Sequence, residues 1–205
     1  MKNFCILFLL LATSVTAQEK KNILIFGDSI TAGFGIEPQQ AFPALIQNRI
    51  DSLGLNYNVI NAGLSGETSA GGLRRIDWVL QRKVDVMILE LGGNDALRGI
   101  DLSTTKENLQ KIIDKVQAKY PEAEIVVAGM QVPPNLGTDY TQQFASIFPA
   151  LAKENELHLI PFLLEKVGGS QELNQPDGIH PTVKGHALVA ETVWEYLYPI
   201  VKNSN

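Results

Sequence analysis

Residues 22–29 read Asn-Ile-Leu-Ile-Phe-Gly-Asp-Ser, a short apolar run that stops at a glycine and an aspartate. Two lysines stand in front of it, so polar residues bound the run at both ends. A short apolar run between such boundaries is typical of a buried strand. We therefore predict a first strand at residues 22–26, with the Gly-Asp-Ser segment at its carboxyl end.

Strands and helices alternate along the rest of the chain. Four more apolar runs predict strands at residues 57–61, 84–91, 125–128 and 158–160. Apolar residues at helical spacing predict helices at residues 42–53, 68–81, 104–119, 141–155 and 183–198. The helix at 104–119 is expected to begin with a capping box formed by Thr104 and Glu107. Strands that are apolar on both faces and alternate with helices predict a three-layer α/β/α sandwich around a five-stranded parallel sheet.

The first 17 residues have the layout of a secretory signal peptide. Lys2 precedes an apolar stretch at residues 4–11, and small residues follow up to Ala17. The stretch is shorter than the roughly 20 residues that a membrane-spanning helix needs. We expect cleavage before Gln18, a periplasmic or secreted protein without stable membrane insertion, and a single domain over residues 18–205.

Composition argues against several classes of function. The net charge is −5 and no basic run resembles a phosphate-binding stripe, so a nucleic-acid partner is not expected. The only cysteine, Cys5, lies in the predicted signal peptide, which leaves the mature chain without a disulfide or a thiol nucleophile. Residues 33–35 lack the third glycine of a dinucleotide fingerprint, and His186 has no partner at a metal-ligand spacing. We expect a monomer that needs no cofactor and no metal.

Polar segments follow the predicted strands and stand before the last helix. They are Gly27-Asp28-Ser29, Ser65-Gly66-Glu67, Gly92-Gly93-Asn94-Asp95 and Asp177-Gly178-Ile179-His180-Pro181. Ligands of open α/β sheets bind outside the carboxyl ends of the strands. Each segment alone could be only a turn or a helix cap, but their occurrence together predicts a site at this edge of the sheet.

The residue types in these segments are those that acyl transfer needs. A serine hydroxyl is a weak nucleophile until a base takes its proton, and the base is usually an imidazole oriented by a carboxylate. Ser29 and His180 could form that pair, and Asp177, three residues before His180, could reach the imidazole through one tight turn. Gly66 and Asn94 could supply donors to the oxyanion. For Asp28 and Asp95 we expect only hydrogen bonds that hold the loops.

The order and spacing of the four segments resemble the SGNH or GDSL hydrolase family, in its bacterial thioesterase I, lysophospholipase L1 and arylesterase branch. The resemblance covers essentially the whole chain after residue 17, and Ile30 departs from the leucine of the family name. It implies a flavodoxin-like fold, with Ser29 as nucleophile and His180 as base, oriented by Asp177. It also implies an oxyanion hole made by the backbone N–H groups of Ser29 and Gly66 and the Asn94 amide.

The expected substrate is a small acyl ester or lipid. Apolar residues near the motifs are candidates for an acyl groove: Leu97, Pro134, Leu136, Phe162 and Ile179. The leading hypothesis is a serine esterase of arylesterase, lysophospholipase or thioesterase type. The alternatives are a carbohydrate O-acetylesterase of the same fold and a binding domain without catalytic activity.

Overall fold

The computed structural model describes residues 19–202, so the predicted signal peptide and Cys5 lie outside the described residues. Five strands occur in this range: β1 Lys21–Gly27, β2 Tyr57–Gly63, β3 Val86–Glu90, β4 Glu124–Ala128 and β5 His158–Ile160. The α-helices of the same range are α1 Ser29–Ala32, α2 Phe42–Ser52, α3 Ser69–Val79, α4 Gly93–Leu97, α5 Leu102–Lys119, α6 Thr138–Glu154 and α7 Val183–Lys202. Two short 3-10 turns lie at Pro38–Gln40 and Pro134–Leu136.

The strands form one parallel sheet in the order β2-β1-β3-β4-β5. The interior strands β1, β3 and β4 each carry a buried apolar run, which in β1 extends from Ile23 to Phe26. Helix α2 packs against α7, while α5 packs against α3 and α6, so helices flank the sheet. This is the α/β architecture that the alternating pattern predicted.

The helix boundaries differ from the sequence prediction at α5. The helix begins at Leu102, and Asp101 is its N-cap: Asp101 Oδ1 accepts hydrogen bonds from the N–H groups of Ser103 at 2.8 Å and Thr104 at 3.3 Å. The predicted capping box at Thr104 was wrong, because an aspartate three residues earlier already satisfies the first free N–H groups. Helices α1 and α4 were not predicted, since four and five residues are too few to show a helical period.

Within residues 19–202, no helix has both the length and the hydropathy to cross a membrane.

Candidate active site

The parallel register brings three strand ends together. Gly27 at the end of β1 lies beside Gly63 of β2 on one side and Glu90 of β3 on the other. The N–H of Leu64 donates to the carbonyl of Gly27 at 3.0 Å, which ties the loop after β2 to the loop after β1. The polar segments predicted from the sequence therefore leave the sheet at one edge.

Ser29, His180 and Asp177 form a continuous hydrogen-bonded chain. His180 Nε2 lies 2.9 Å from Ser29 Oγ, and His180 Nδ1 lies 2.7 Å from Asp177 Oδ2. A proton on Nδ1 satisfies the carboxylate and leaves Nε2 as the acceptor for the serine hydroxyl. Ser29 and His180 are separated by 151 residues in the sequence, and the fold places them in contact.

The tight turn from Asp177 to His180 fixes the carboxylate. Asp177 Oδ1 accepts hydrogen bonds from the N–H groups of Ile179 at 2.9 Å and His180 at 3.0 Å. Partial burial favours the neutral acid, but these bonds and the contact with the imidazole outweigh it and lower the pKa of Asp177 to about 2. The carboxylate therefore stays ionised over the whole range in which an imidazole titrates.

Phe34 and Gln175 support the imidazole, and the sequence analysis did not single out either. The Phe34 ring lies against the His180 ring with centroids 4.5 Å apart. Gln175 Nε2 donates to the Phe34 carbonyl at 2.6 Å, while the Gln175 N–H donates to the His180 carbonyl at 2.7 Å. These contacts join the loop that carries His180 to the segment directly after α1. The available signal in the sequence was a phenylalanine five residues after Ser29.

Asp28 positions the start of α1 and the amide of Asn94. Its Oδ1 accepts the Ile30 N–H at 3.0 Å as the helix cap, and its Oδ2 accepts from Asn94 Nδ2 at 3.0 Å. Burial raises the pKa of Asp28 to about 6, against the lowering effect of these bonds. The expected role of Asp28 in holding the loop by a backbone N–H is confirmed. Because an amide has two N–H groups, Asn94 keeps one for another acceptor.

Glu90 is a fully buried acid beneath α1. Its Oε2 accepts from the Asp28 N–H at 3.1 Å and from Thr31 Oγ1 at 2.7 Å, while Oε1 has no partner among the described residues. Burial, reinforced by the charge of Asp28, raises the pKa of Glu90 well above its usual range. A Cβ on Gly27 would overlap both Thr31 Oγ1 and Glu90 Oε2, so only glycine fits at the end of β1.

Asp95 holds the loop after β3 against α3. Its carboxylate accepts from the Ser69 N–H at 2.7 Å and from the Ser69 hydroxyl at 2.5 Å. The structure thus confirms the loop-holding role expected for Asp95.

Gly66 occupies the loop between β2 and α3 with a φ of +79°, a conformation that favours glycine. Its carbonyl accepts from Arg98 Nη2 at 2.9 Å. Within residues 19–202, the N–H groups of Ser29 and Gly66 have no hydrogen-bond acceptor. Gly66 lines a depression next to the cavity that holds Ser29, Asn94 and His180.

The Ser29 hydroxyl opens into a cavity of about 490 Å³. Among the predicted acyl-groove residues, Leu97, Pro134, Phe162 and Ile179 line it. The structure does not place Leu136 in this wall: Leu136 is the last residue of the 3-10 turn Pro134–Leu136, of which only Pro134 lines the cavity. Further apolar side chains that the sequence analysis did not name complete the lining, among them Ile30, Met130, Val132 and Leu164.

A family model described as "GDSL-like Lipase/Acylhydrolase family" matches residues 25–188 of this chain. The chain belongs to the GDSL hydrolases. It is an esterase-type hydrolase by this membership, and the resemblance read from the four motifs is confirmed.

The relatives of this GDSL hydrolase match over nearly the full length. "Esterase TesA" of Pseudomonas aeruginosa is 39% identical over 198 residues, which cover 96% of each chain. "Thioesterase 1/protease 1/lysophospholipase L1" of Escherichia coli K12 is 36% identical over 200 residues, covering 97% of this chain and 93% of that protein. A crystal structure of TesA superposes with a TM-score of 0.84 at 40% identity and covers 88% of this chain and 99% of that one.

The remaining histidines of this GDSL hydrolase lie elsewhere. His158 is exposed on the edge strand β5, and its Nε2 lies 3.1 Å from Glu124 Oε2. His186 is buried in α7, where its Nδ1 accepts the Phe42 N–H at 3.2 Å. In the part of the chain that the structure describes, no three His, Cys, Asp or Glu side chains are grouped as a metal site would require.

Proposed function

We propose that this GDSL hydrolase is a serine esterase that cleaves acyl esters through an acyl-enzyme on Ser29. The observation that supports it is the hydrogen-bonded chain from Ser29 Oγ through His180 to Asp177, which opens into an apolar cavity. It contains a nucleophile, a base and an orienting carboxylate in the order that acyl transfer needs.

In the acylation step His180 Nε2 takes the proton of Ser29 as the oxygen attacks the acyl carbonyl. A tetrahedral oxyanion forms, and its collapse expels the alcohol, which receives the same proton from His180. Water then attacks the acyl-enzyme with His180 again as base, releasing the acid and restoring the Ser29 hydroxyl. Asp177 stabilises the imidazolium in both steps without leaving its own ionised state.

The donors for the oxyanion are the N–H groups of Ser29 and Gly66 and the second N–H of the Asn94 amide. The proposal is supported by the absence of any acceptor for the two backbone N–H groups within residues 19–202, and by the fixed orientation that Asp28 gives to Asn94. Donors held in place before the reaction stabilise negative charge without reorganisation.

The cavity favours an acyl chain longer than acetate. Leu97, Met130, Phe162 and Leu164 line it, and an acetyl group would leave most of this apolar surface unused. The names of the relatives, an esterase and a thioesterase with lysophospholipase activity, agree with such a chain. We therefore favour the acyl esterase over the two alternatives, a sugar O-acetylesterase and a non-catalytic binding domain.

A panel of p-nitrophenyl esters with acyl chains of two to sixteen carbons tests this proposal. We expect kcat/KM to rise beyond the acetate, and a fluorophosphonate probe to label the protein at Ser29. Ser29→Ala and His180→Ala should each abolish most of kcat, because the members of such a group act together.

Ser146→Ala, which removes an exposed hydroxyl on α6, is the matched control and should keep wild-type activity. Full labelling of Ser29→Ala, or a protein active on acetate alone, would contradict the proposal.

We also propose that the protein is exported and loses residues 1–17, on the strength of the signal-peptide pattern. Cell fractionation followed by N-terminal sequencing tests it. A cytoplasmic protein that retains Met1 would be the opposite result.

A further inference from the structure

A second, more open depression of about 500 Å³ lies next to the active-site cavity. One part of its wall is the loop at residues 64–68 with the start of α3, and another is Arg98, which follows α4. Leu97 lines the cavity and its neighbour Arg98 lines the depression, so the two sites share the end of α4. A substrate with its acyl chain in the cavity can therefore extend a polar leaving group into the depression.

The depression is positively charged in a chain whose net charge is negative. Arg74, Arg75 and Arg98 line it, together with one carboxylate, that of Glu67. Arg75 holds this carboxylate by bonds from Nε and Nη2, and the same guanidinium donates to the Ala62 carbonyl at 2.9 Å. Because Glu67 and Arg75 neutralise each other, the charges of Arg74 and Arg98 remain.

These two arginines have N–H groups to spare. Within the described chain, the Arg98 side chain makes a single hydrogen bond, from Nη2 to the Gly66 carbonyl. The Arg74 side chain is exposed and makes no hydrogen bond or ion pair with any residue in the range 19–202. The start of α3 offers an anion few free N–H groups, since Asp95 accepts the Ser69 N–H and Thr68 accepts the Gly71 N–H. The guanidinium groups are therefore the charged donors that the depression offers to an anion.

We propose that the depression is a leaving-group subsite in which Arg98 and Arg74 bind a phosphate group of the substrate. The inference rests on the proposed function, because it adds a phosphate-bearing alcohol or thiol to an acyl ester cleaved at Ser29. A planar guanidinium matches the oxygens of a phosphate with two parallel hydrogen bonds, which suits Arg better than any other side chain. Two chemical sources share this group: a glycerol phosphate ester and a phosphorylated thiol.

Two substrate pairs with one octanoyl chain test the subsite. The first compares 1-octanoyl-glycerol 3-phosphate with 1-octanoyl-glycerol, and the second compares octanoyl-CoA with octanoyl-N-acetylcysteamine. We measure the ratio of kcat/KM for the phosphate-bearing member to that for the neutral member. Arg74→Gln and Arg98→Gln should each lower this ratio about fivefold in the pair that matches the natural leaving group.

Arg82→Gln is the matched control. It removes the same charge from an exposed position before β3. This position lies near the amino end of that strand, away from the carboxyl ends that carry the active site. Its ratio should equal that of the wild type, whereas added salt should lower the wild-type ratio by screening the arginines.

An unchanged ratio in both arginine variants would overturn the subsite, as would an equal loss on the neutral and the phosphate-bearing substrates. An equal loss would mean that Arg98 acts only through the Gly66 loop. Both results leave Ser29 chemistry intact. A wild-type protein that hydrolyses no ester of either pair and no p-nitrophenyl ester would instead overturn the proposed function.

Discussion

The amide of Asn94 is oriented before any substrate arrives. Asp28 is ionised at neutral pH, since its pKa is about 6, and its Oδ2 takes one N–H of the amide. A hydrogen bond to a charged acceptor is stronger than one between neutral groups. The second N–H can then serve the oxyanion without a reorientation of the side chain.

Asn94→Ala should lower kcat about 10²- to 10³-fold, with a smaller change in KM, because the oxyanion loses a donor that acts in the transition state. Steady-state kinetics on a p-nitrophenyl ester measure it. Asn58→Ala, at the far end of β2, is the control and should match the wild type. A kcat within twofold of the wild type would remove Asn94 from the oxyanion hole.

His186 makes the stability of the protein depend on pH. Burial, together with the charge that His180 can carry, lowers the pKa of His186 to about 4. Its Nδ1 accepts the Phe42 N–H. A proton on that nitrogen would place two N–H donors face to face and break this hydrogen bond. The unfolded chain takes up this proton at higher pH than the folded one, so the free energy of unfolding falls as pH drops below the ordinary histidine range.

The lowered pKa of His186 should reduce the free energy of unfolding by about 3 kcal/mol at pH 4 relative to pH 8. His186→Gln loses stability at pH 8 because a buried, well-packed ring is removed. The gap between His186→Gln and the wild type should then shrink as the pH falls to 4.5. Urea unfolding at several pH values measures the gap. His158→Gln, at an exposed site, should show no such trend, and a constant gap for His186→Gln would contradict the account.

Among the elements, α1 is too short to be stable alone and depends on its surroundings. Asp28 caps it, Glu90 receives a hydrogen bond from Thr31 within it, and Gly27 allows the close approach of both. Ser29, the proposed nucleophile at its first position, is therefore held by the ends of β1 and β3 rather than by helix propensity.

Helix α5 offers a direct comparison between two possible caps. Asp101→Ala should lower the free energy of unfolding by about 1 kcal/mol, because two N–H groups at the start of α5 lose their acceptor. Thr104→Ala should have little effect, since Thr104 lies inside the helix. Thermal or urea unfolding of both variants measures the difference, and kcat should stay unchanged in each. A larger loss of unfolding free energy in Thr104→Ala than in Asp101→Ala would instead support the capping box at Thr104.

At the scale of the whole molecule, the only cysteine lies in the first 17 residues. A protein that starts at Gln18 has no thiol, so N-ethylmaleimide and dithiothreitol should leave its activity and its melting temperature unchanged. A fluorophosphonate should inactivate it in the same assay. Inactivation by N-ethylmaleimide would indicate that Cys5 is retained and exposed.

The amino-acid sequence by itself determined the alternation of strands and helices, the parallel sheet, and the residues Ser29, Asn94, Asp177 and His180. These follow from local patterns, because hydrophobic period and turn residues act over a few positions. The short turn that joins Asp177 to His180 was readable for the same reason.

Only the tertiary structure decided which distant side chains support those residues. Phe34 and Gln175 meet at a separation of 141 residues, and Asp28 reaches Asn94 across 66. The tertiary structure also decided that Leu136 stays out of the cavity wall and that arginines line the depression beside Gly66. The physical reason is that such contacts arise where the ends of parallel strands converge, and no local pattern of residues records which partners will meet there.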